Sequence, residues 1–147
     1  MKCNAMNVVM GVFIVALFGL TGCGGGGSAA TAPPKSASVS VTPSGNNDYI
    51  VQGDNMDGVA AIDITINYDG STMSSPTVTQ GGFFPGAFMV TNTSMPGTIK
   101  IAFINAYPKI LSGSGQFATI SFDAVTGSGT VSVASVNMFD VNGAPIP

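Results

Sequence analysis

Residues 59–68 read VAAIDITINY, and this stretch decides the fold class. Two sets of residues alternate along it: Ile62, Ile64, Ile66 and Tyr68 in one set, and Ala61, Asp63, Thr65 and Asn67 in the other. A period of two residues places successive side chains on opposite faces of an extended chain. The stretch therefore predicts a β-strand with the isoleucine face buried and the Asp63 face in water.

Shorter runs of the same kind lie on both sides of this stretch. They occupy residues 38–42, 49–51, 87–91, 98–104, 117–125 and 130–138, and clusters of Gly, Pro, Ser or Asn separate them. No segment of the domain has apolar residues at helical spacing. Several short strands about ten residues apart predict an all-β fold, an antiparallel β-sandwich.

Five stretches, in this order, resemble a cohesin module. They are GVAAIDITINYDG (58–70), GGFFPGAFMVTN (81–92), PGTIKIAFINA (96–106), SGSGQFATISFDAV (112–125) and VNMFDVNGAPI (136–146). The resemblance covers residues 38–147 and implies a jelly-roll sandwich of about nine strands. It also implies binding to dockerin-type modules of partner proteins rather than catalysis, with any calcium carried by the partner.

The resemblance also implies a binding site on the strand of residues 59–68. Asp63 stands where cellulosomal members have an aspartate that contacts the dockerin, and Thr65 and Asn67 follow on the same predicted face. Many members have an asparagine where this chain has Ala61. The alternative interpretation of Asp63 is a solvated charge that keeps an exposed sheet face soluble.

The amino terminus predicts a lipid anchor. An apolar run at residues 8–20 follows Lys2 and is too short to cross a bilayer, which is typical of a signal peptide. Leu-Thr-Gly-Cys at 20–23 resembles a lipobox, which implies cleavage after residue 22 and acylation of Cys23. The alternative is a secreted protein in which Cys23 is incidental. Residues 23–37 then form a Gly-, Ser- and Pro-rich tether.

Charge and composition exclude several functions. The chain has no histidine and a net charge of −3, with four Lys or Arg residues and seven Asp or Glu residues. So few cations argue against nucleic-acid binding. The lack of histidine removes the usual catalytic triads and the commonest nitrogen ligand of zinc sites. We therefore expect no enzyme and no resident cofactor or metal.

Two local patterns leave alternatives open. The stretches at 54–58 and 140–143 combine Asp, Asn and Gly, which suits calcium but suits tight turns better. The loop that contains Phe83, Phe84 and Phe88 could expose an apolar patch, or its rings could cover the open end of the sandwich, which we favour.

The leading hypothesis is a lipid-anchored module that docks a protein partner at the cell envelope, with a link to polysaccharide degradation. Gly24 after the cysteine favours the outer over the inner membrane of a Gram-negative cell. One alternative is a carbohydrate-binding module, which would need exposed aromatic rings to stack on sugars. Because Tyr68 is predicted to face inward, only Tyr49 and Tyr107 remain among the tyrosines, which are few for such a surface. Another is an accessory lipoprotein of a secretion or pilus system.

Overall fold

A computed structural model describes residues 35–45, 47–105 and 109–147 of the chain. Cys23, the predicted signal peptide and Tyr107 lie outside these ranges. The described residues form nine strands: β1 (Ser38–Gly45), β2 (Asp48–Asp54), β3 (Ala61–Tyr68), β4 (Met73–Gln80), β5 (Ala87–Met95), β6 (Thr98–Asn105), β7 (Gly115–Val125), β8 (Val131–Phe139) and β9 (Pro145–Ile146). In these ranges no helix is long and apolar enough to span a bilayer.

The strands form two antiparallel sheets that face each other across one core. Their orders are β1-β2-β7-β4 and β5-β6-β3-β8-β9. The decisive stretch of sequence is β3, which lies at the centre of the five-stranded sheet between β6 and β8. The prediction of an all-β antiparallel sandwich is confirmed, and so is the alternation along β3, since Ile62, Ile64 and Ile66 are almost fully buried.

Two strands of the structure, β4 and β9, are not among the runs that the sequence pattern indicates. β4 contains Pro76 and few large apolar residues, and it lies at the edge of its sheet, where proline is tolerated. β9 has only two residues and pairs with the end of β8. Neither is long and apolar enough to show a period, so only the family resemblance implied their presence.

Aromatic rings fill the core in two groups. Near the start of β3, the ring centroid of Phe117 lies 5.4 Å from those of both Phe83 and Phe103, and Phe84 packs 6.2 Å from Phe103. Near the other end, Phe122 lies 5.1 Å from Tyr68 and 5.8 Å from Tyr49. No described buried side-chain nitrogen or oxygen lacks a hydrogen-bond partner.

β1 begins at Ser38, and we call the end of the sandwich at which it begins the tether end. Lys35 and Ala37 line a depression of about 450 Å³ together with Asp57 and the carboxyl-terminal Ile146 and Pro147. The starts of β3 and β5, the end of β6 and the end of β8 lie at this same end, because Pro145 pairs with Phe139.

Backbone hydrogen bonds close the tether end. The N–H of Met56 donates to the carbonyl of Gly113 at 2.8 Å, and the N–H of Leu111 donates to the carbonyl of Val59 at 2.7 Å. Two residues after Gly113, at Gly115, a Cβ would lie 2.3 Å from the ring of Phe83, so only glycine fits there. These contacts hold the loops that frame the first residues of β3.

Candidate protein-binding face

The outer face of the five-stranded sheet presents its side chains in rows that cross the strands. Directly paired residues of antiparallel strands share a face, so the strand register defines each row. The tether-end row contains Phe88, Ile104, Ala61 and Phe139, the second row Val90, Ala102, Asp63 and Asn137, and the third row Asn92, Lys100, Thr65 and Ser135. We call these three rows the row face.

The structure places all three sequence-predicted residues on the outer face of this sheet, with Asp63 and Thr65 in the row face and Asn67 one row beyond it, paired with Thr98. Asp63 and Asn67 are exposed and Thr65 is half-buried. Asp63 lies in the second row, near the middle of the sheet, because β3 is flanked by paired strands on both sides. Asp63 has no side-chain hydrogen bond or ion pair with another described residue, so its carboxylate is available to a partner.

Asp63 and Lys100 lie on neighbouring strands in adjacent rows. Asp63 pairs with Ala102, two residues from Lys100, which is a diagonal relation in which the two residues are about 7–8 Å apart and their Cβ atoms somewhat closer. Both line a shallow depression of about 390 Å³, along with Val90 and Asn137. The depression therefore combines one negative group, one positive group and an apolar wall.

Sequence reasoning did not single out Val90 and Ile104, and it favoured a covering role for Phe88 over an exposed one. Phe88 is 66% exposed, Val90 59% and Ile104 52%. The alternation in AFMV and IAFI contained the signal, since it places Phe88 and Val90 opposite Met89, and Ile104 opposite Phe103. The row itself depends on which strands are neighbours, and that information is not local in sequence.

The other sheet offers no comparable surface. Hydroxyl-bearing side chains dominate the outer face of its strands, where Thr119 pairs with Thr79, and Ser121 with Thr77. None of the large apolar side chains that are exposed in the described ranges belongs to that sheet. Burying an apolar surface favours association, so the row face is the better candidate for binding a protein.

The aspartates of the two suspected calcium stretches fasten loops. The hydroxyl of Ser112 (2.7 Å) and the N–H of Gly113 (2.9 Å) donate to Asp57 Oδ1, and these bonds lower the pKa of the Asp57 carboxyl below its ordinary value of 3.8. The N–H groups of Ala144 and Asn142, both at 2.8 Å, donate to Asp140 Oδ1 and lower its pKa in the same way.

These bonds favour the turn interpretation of both stretches. Within the described ranges, no group of three or more acidic, Cys or His residues is arranged to hold a metal ion. Asp69 is a further loop carboxylate of this kind. The hydroxyl of Ser71 at 2.6 Å and its N–H at 3.0 Å lower the pKa of the Asp69 carboxyl below 3.8.

The phenylalanines of the 81–88 segment divide between the two interpretations. Phe84 is 2% exposed and, with half-buried Phe83, covers the core at the tether end. Phe88 belongs to β5 and points outward. Tyr49 is half-buried against Phe122 and Tyr68 is buried, so neither adds to an exposed aromatic platform.

Two antiparallel sheets in this order form a nine-stranded jelly-roll sandwich, and the comparisons identify its family. The family model described as the cohesin domain matches residues 37–143, so the chain belongs to the cohesin-domain family. A search of curated proteins finds no match.

Solved cohesin structures have the same fold. The sixth cohesin of Acetivibrio cellulolyticus scaffoldin B, in complex with a Cel5 dockerin, is 21% identical with a TM-score of 0.62, over 76% of this chain and 92% of that one. The cohesin of the Coh-OlpA–Doc918 complex of Clostridium thermocellum is 14% identical with a TM-score of 0.64, over 77% of this chain and 92% of that one. A non-cellulosomal cohesin of the archaeon Archaeoglobus fulgidus is 17% identical with a TM-score of 0.62, over 77% of this chain and 84% of that one.

Proposed function

We propose that this chain is a lipid-anchored, non-catalytic cohesin module that docks a dockerin-type protein through the row face. The observation that carries the proposal is the row face itself, where exposed apolar side chains lie beside an available carboxylate on the central strand. Membership of the cohesin-domain family and two structural neighbours that are in complex with dockerins support the choice of partner.

The anchor and location are part of the same proposal. Cys23 carries the acyl chains, and two or three chains hold a protein on a bilayer almost permanently because each buried methylene contributes about 0.8 kcal/mol. The tether to residue 37 lets the domain reach a partner at the cell envelope, on the outer membrane of a Gram-negative cell. The docked partner would serve in polysaccharide breakdown.

The docking experiment uses the full chain, purified in detergent and immobilised through a carboxyl-terminal tag. Each dockerin-bearing protein of the source organism is expressed singly and passed over the surface with calcium and then with EDTA. We expect at least one to bind with calcium and to be released by EDTA, and Asp63→Ala to weaken that binding at least fivefold. Retention of the domain on insoluble polysaccharide, with no protein bound, would contradict the proposal.

The anchor is tested separately. Cys23→Ser should abolish incorporation of labelled palmitate in the source organism or a bacterial host, because the acylated thiol is gone. Equal labelling of the wild type and the variant would show that the cysteine is incidental. Neither outcome changes the interpretation of the docking experiment, since the row face and the predicted anchor are separate parts of the chain.

A further inference from the structure

Exposed apolar surface is concentrated in the tether half of the sandwich. The exposed large apolar residues of the described ranges are Phe88, Val90, Met95, Ile104, Ile110 and Val141. Phe88 and Ile104 are paired in the tether-end row, and Val90 lies in the next row. Ile110 and Val141 belong to the connections at the same end, and only Met95 lies at the far end of β5.

Polarity changes in a fixed order along the strands of the row face. The tether-end row is entirely apolar, the second row adds Asp63 and Asn137, and the third row adds Lys100 beside Thr65. Successive rows are two residues apart, which is about 6.6–6.8 Å, and the four strands span about 14 Å. From the tether end outward, the face is therefore apolar, then acidic, then basic.

We infer, on the basis of the proposed function, that the partner presents the complementary order. It carries an apolar ridge about 14 Å long at the tether end, then a hydrogen-bond donor or a cation opposite Asp63, and then an acceptor or a carboxylate opposite Lys100. Such an order fixes the register of the partner along the strands, because a shift by one row in one direction leaves Lys100 facing the cation of the partner, and a shift in the other direction leaves Asp63 facing its carboxylate.

The apolar row carries most of the affinity in this arrangement. Aromatic residues that become fully desolvated are the usual hot spots of interfaces, while partly solvated charges contribute less and set the register. Phe88 is the largest exposed side chain of the row face, and Ile104 adjoins it across the β5–β6 pair. Truncation of either residue therefore removes binding energy without touching the core.

The test measures dissociation constants for the dockerin-bearing proteins that bind in the docking experiment. We expect Phe88→Ser and Ile104→Ser each to weaken binding about 30-fold, the loss typical of a hot spot. The matched control is Met95→Ser, which removes a 56%-exposed apolar side chain from the far end of the same strand and should change affinity less than twofold. Thermal melts verify that all three variants fold.

A second arm tests the register through the charge that the partner presents opposite Asp63. Asp63→Lys should weaken binding more than Asp63→Asn does, because the reversed charge faces the donor of the partner. The inference alone is overturned if Asp63→Ala abolishes binding while Phe88→Ser and Ile104→Ser do not, or if Met95→Ser is as damaging as Phe88→Ser. It is also overturned if sedimentation shows a dimer that Phe88→Ser dissociates, since the face would then bind a second copy. If no dockerin-bearing protein binds, the proposed function is wrong, and the inference, which depends on it, is wrong as well.

Discussion

Asp63 and Ile64 are neighbours in sequence on opposite faces of β3, so alanine at each position gives a stringent test of the face assignment. Ile64 is 1% exposed and belongs to the core between the sheets, whereas Asp63 is exposed. Replacing Ile64 by alanine removes three buried carbons. At about 0.8 kcal/mol each, their transfer contributes about 2.4 kcal/mol.

The residual cavity adds to this cost, since the neighbouring strands β6 and β8 hold β3 on both sides and limit relaxation. We therefore expect Ile64→Ala to lower the free energy of unfolding by about 3 kcal/mol, within the range of 2–5 kcal/mol for buried isoleucine. Asp63→Ala should change it by less than about 0.5 kcal/mol, as for other surface positions.

Urea titration followed by circular dichroism measures both effects. With a slope near 2 kcal/mol/M, Ile64→Ala should move the unfolding midpoint by about 1.5 M, while Asp63→Ala should leave it nearly unchanged. In a thermal melt the same loss lowers the midpoint by roughly 12 °C, at about 4 °C per kcal/mol. Similar losses at the two positions, or a larger loss at Asp63, would refute the assignment of the faces.

Other variants probe the loops that surround the tether end. Gly115→Ala should cost about 1–3 kcal/mol of stability, because its Cβ meets the Phe83 ring, whereas Gly82→Ala meets no atom within 4 Å and should be nearly neutral in the same urea titration. Phe84→Ala should cost about 3–5 kcal/mol, and a change below 1 kcal/mol would show that its ring does not cover the core. The pKa of the Asp140 carboxyl is lower in the folded state than in the unfolded state, where it is near 3.9, so the ionised carboxylate stabilises the fold at pH values above the unfolded pKa. This stabilisation is lost as the pH falls from about 5 through the folded pKa. Asp140→Asn should therefore lower the melting temperature at pH 7 and flatten its decrease in acid, and an unchanged acid profile would contradict this role.

The sequence predicted the sandwich because β3 and the longer runs carry a clear period of two. It did not predict β4, whose short polar side chains and Pro76 are compatible with an edge strand but do not indicate one. The same limit explains the candidate site. Asp63, Thr65 and Asn67 share one strand, so alternation alone places them on one face.

The rest of the row face requires knowledge of the strand neighbours. Phe88 and Ala61 are 27 positions apart, and they meet in one row only because β6 pairs with both β5 and β3. A local sequence pattern indicates which face of its strand each side chain occupies, but it does not indicate the register between distant strands. The alternative interpretations of the 81–88 loop stayed open for the same reason, since its phenylalanines divide between the core and the outer face.

The position of Lys35 near the apolar row has a mechanical consequence. If the chain is pulled through its amino terminus while a partner holds the row face, both points of attachment lie at one end of the sandwich. The force then passes from β1 across the tether end to β3 and β8, and the far halves of both sheets carry little of it. Residues 55–60, which join β2 to β3, lie on this path, and their hydrogen bonds to residues 111–113 help to hold them in place, so the tether end contributes more to the resistance of the docked domain than the far ends of the strands do.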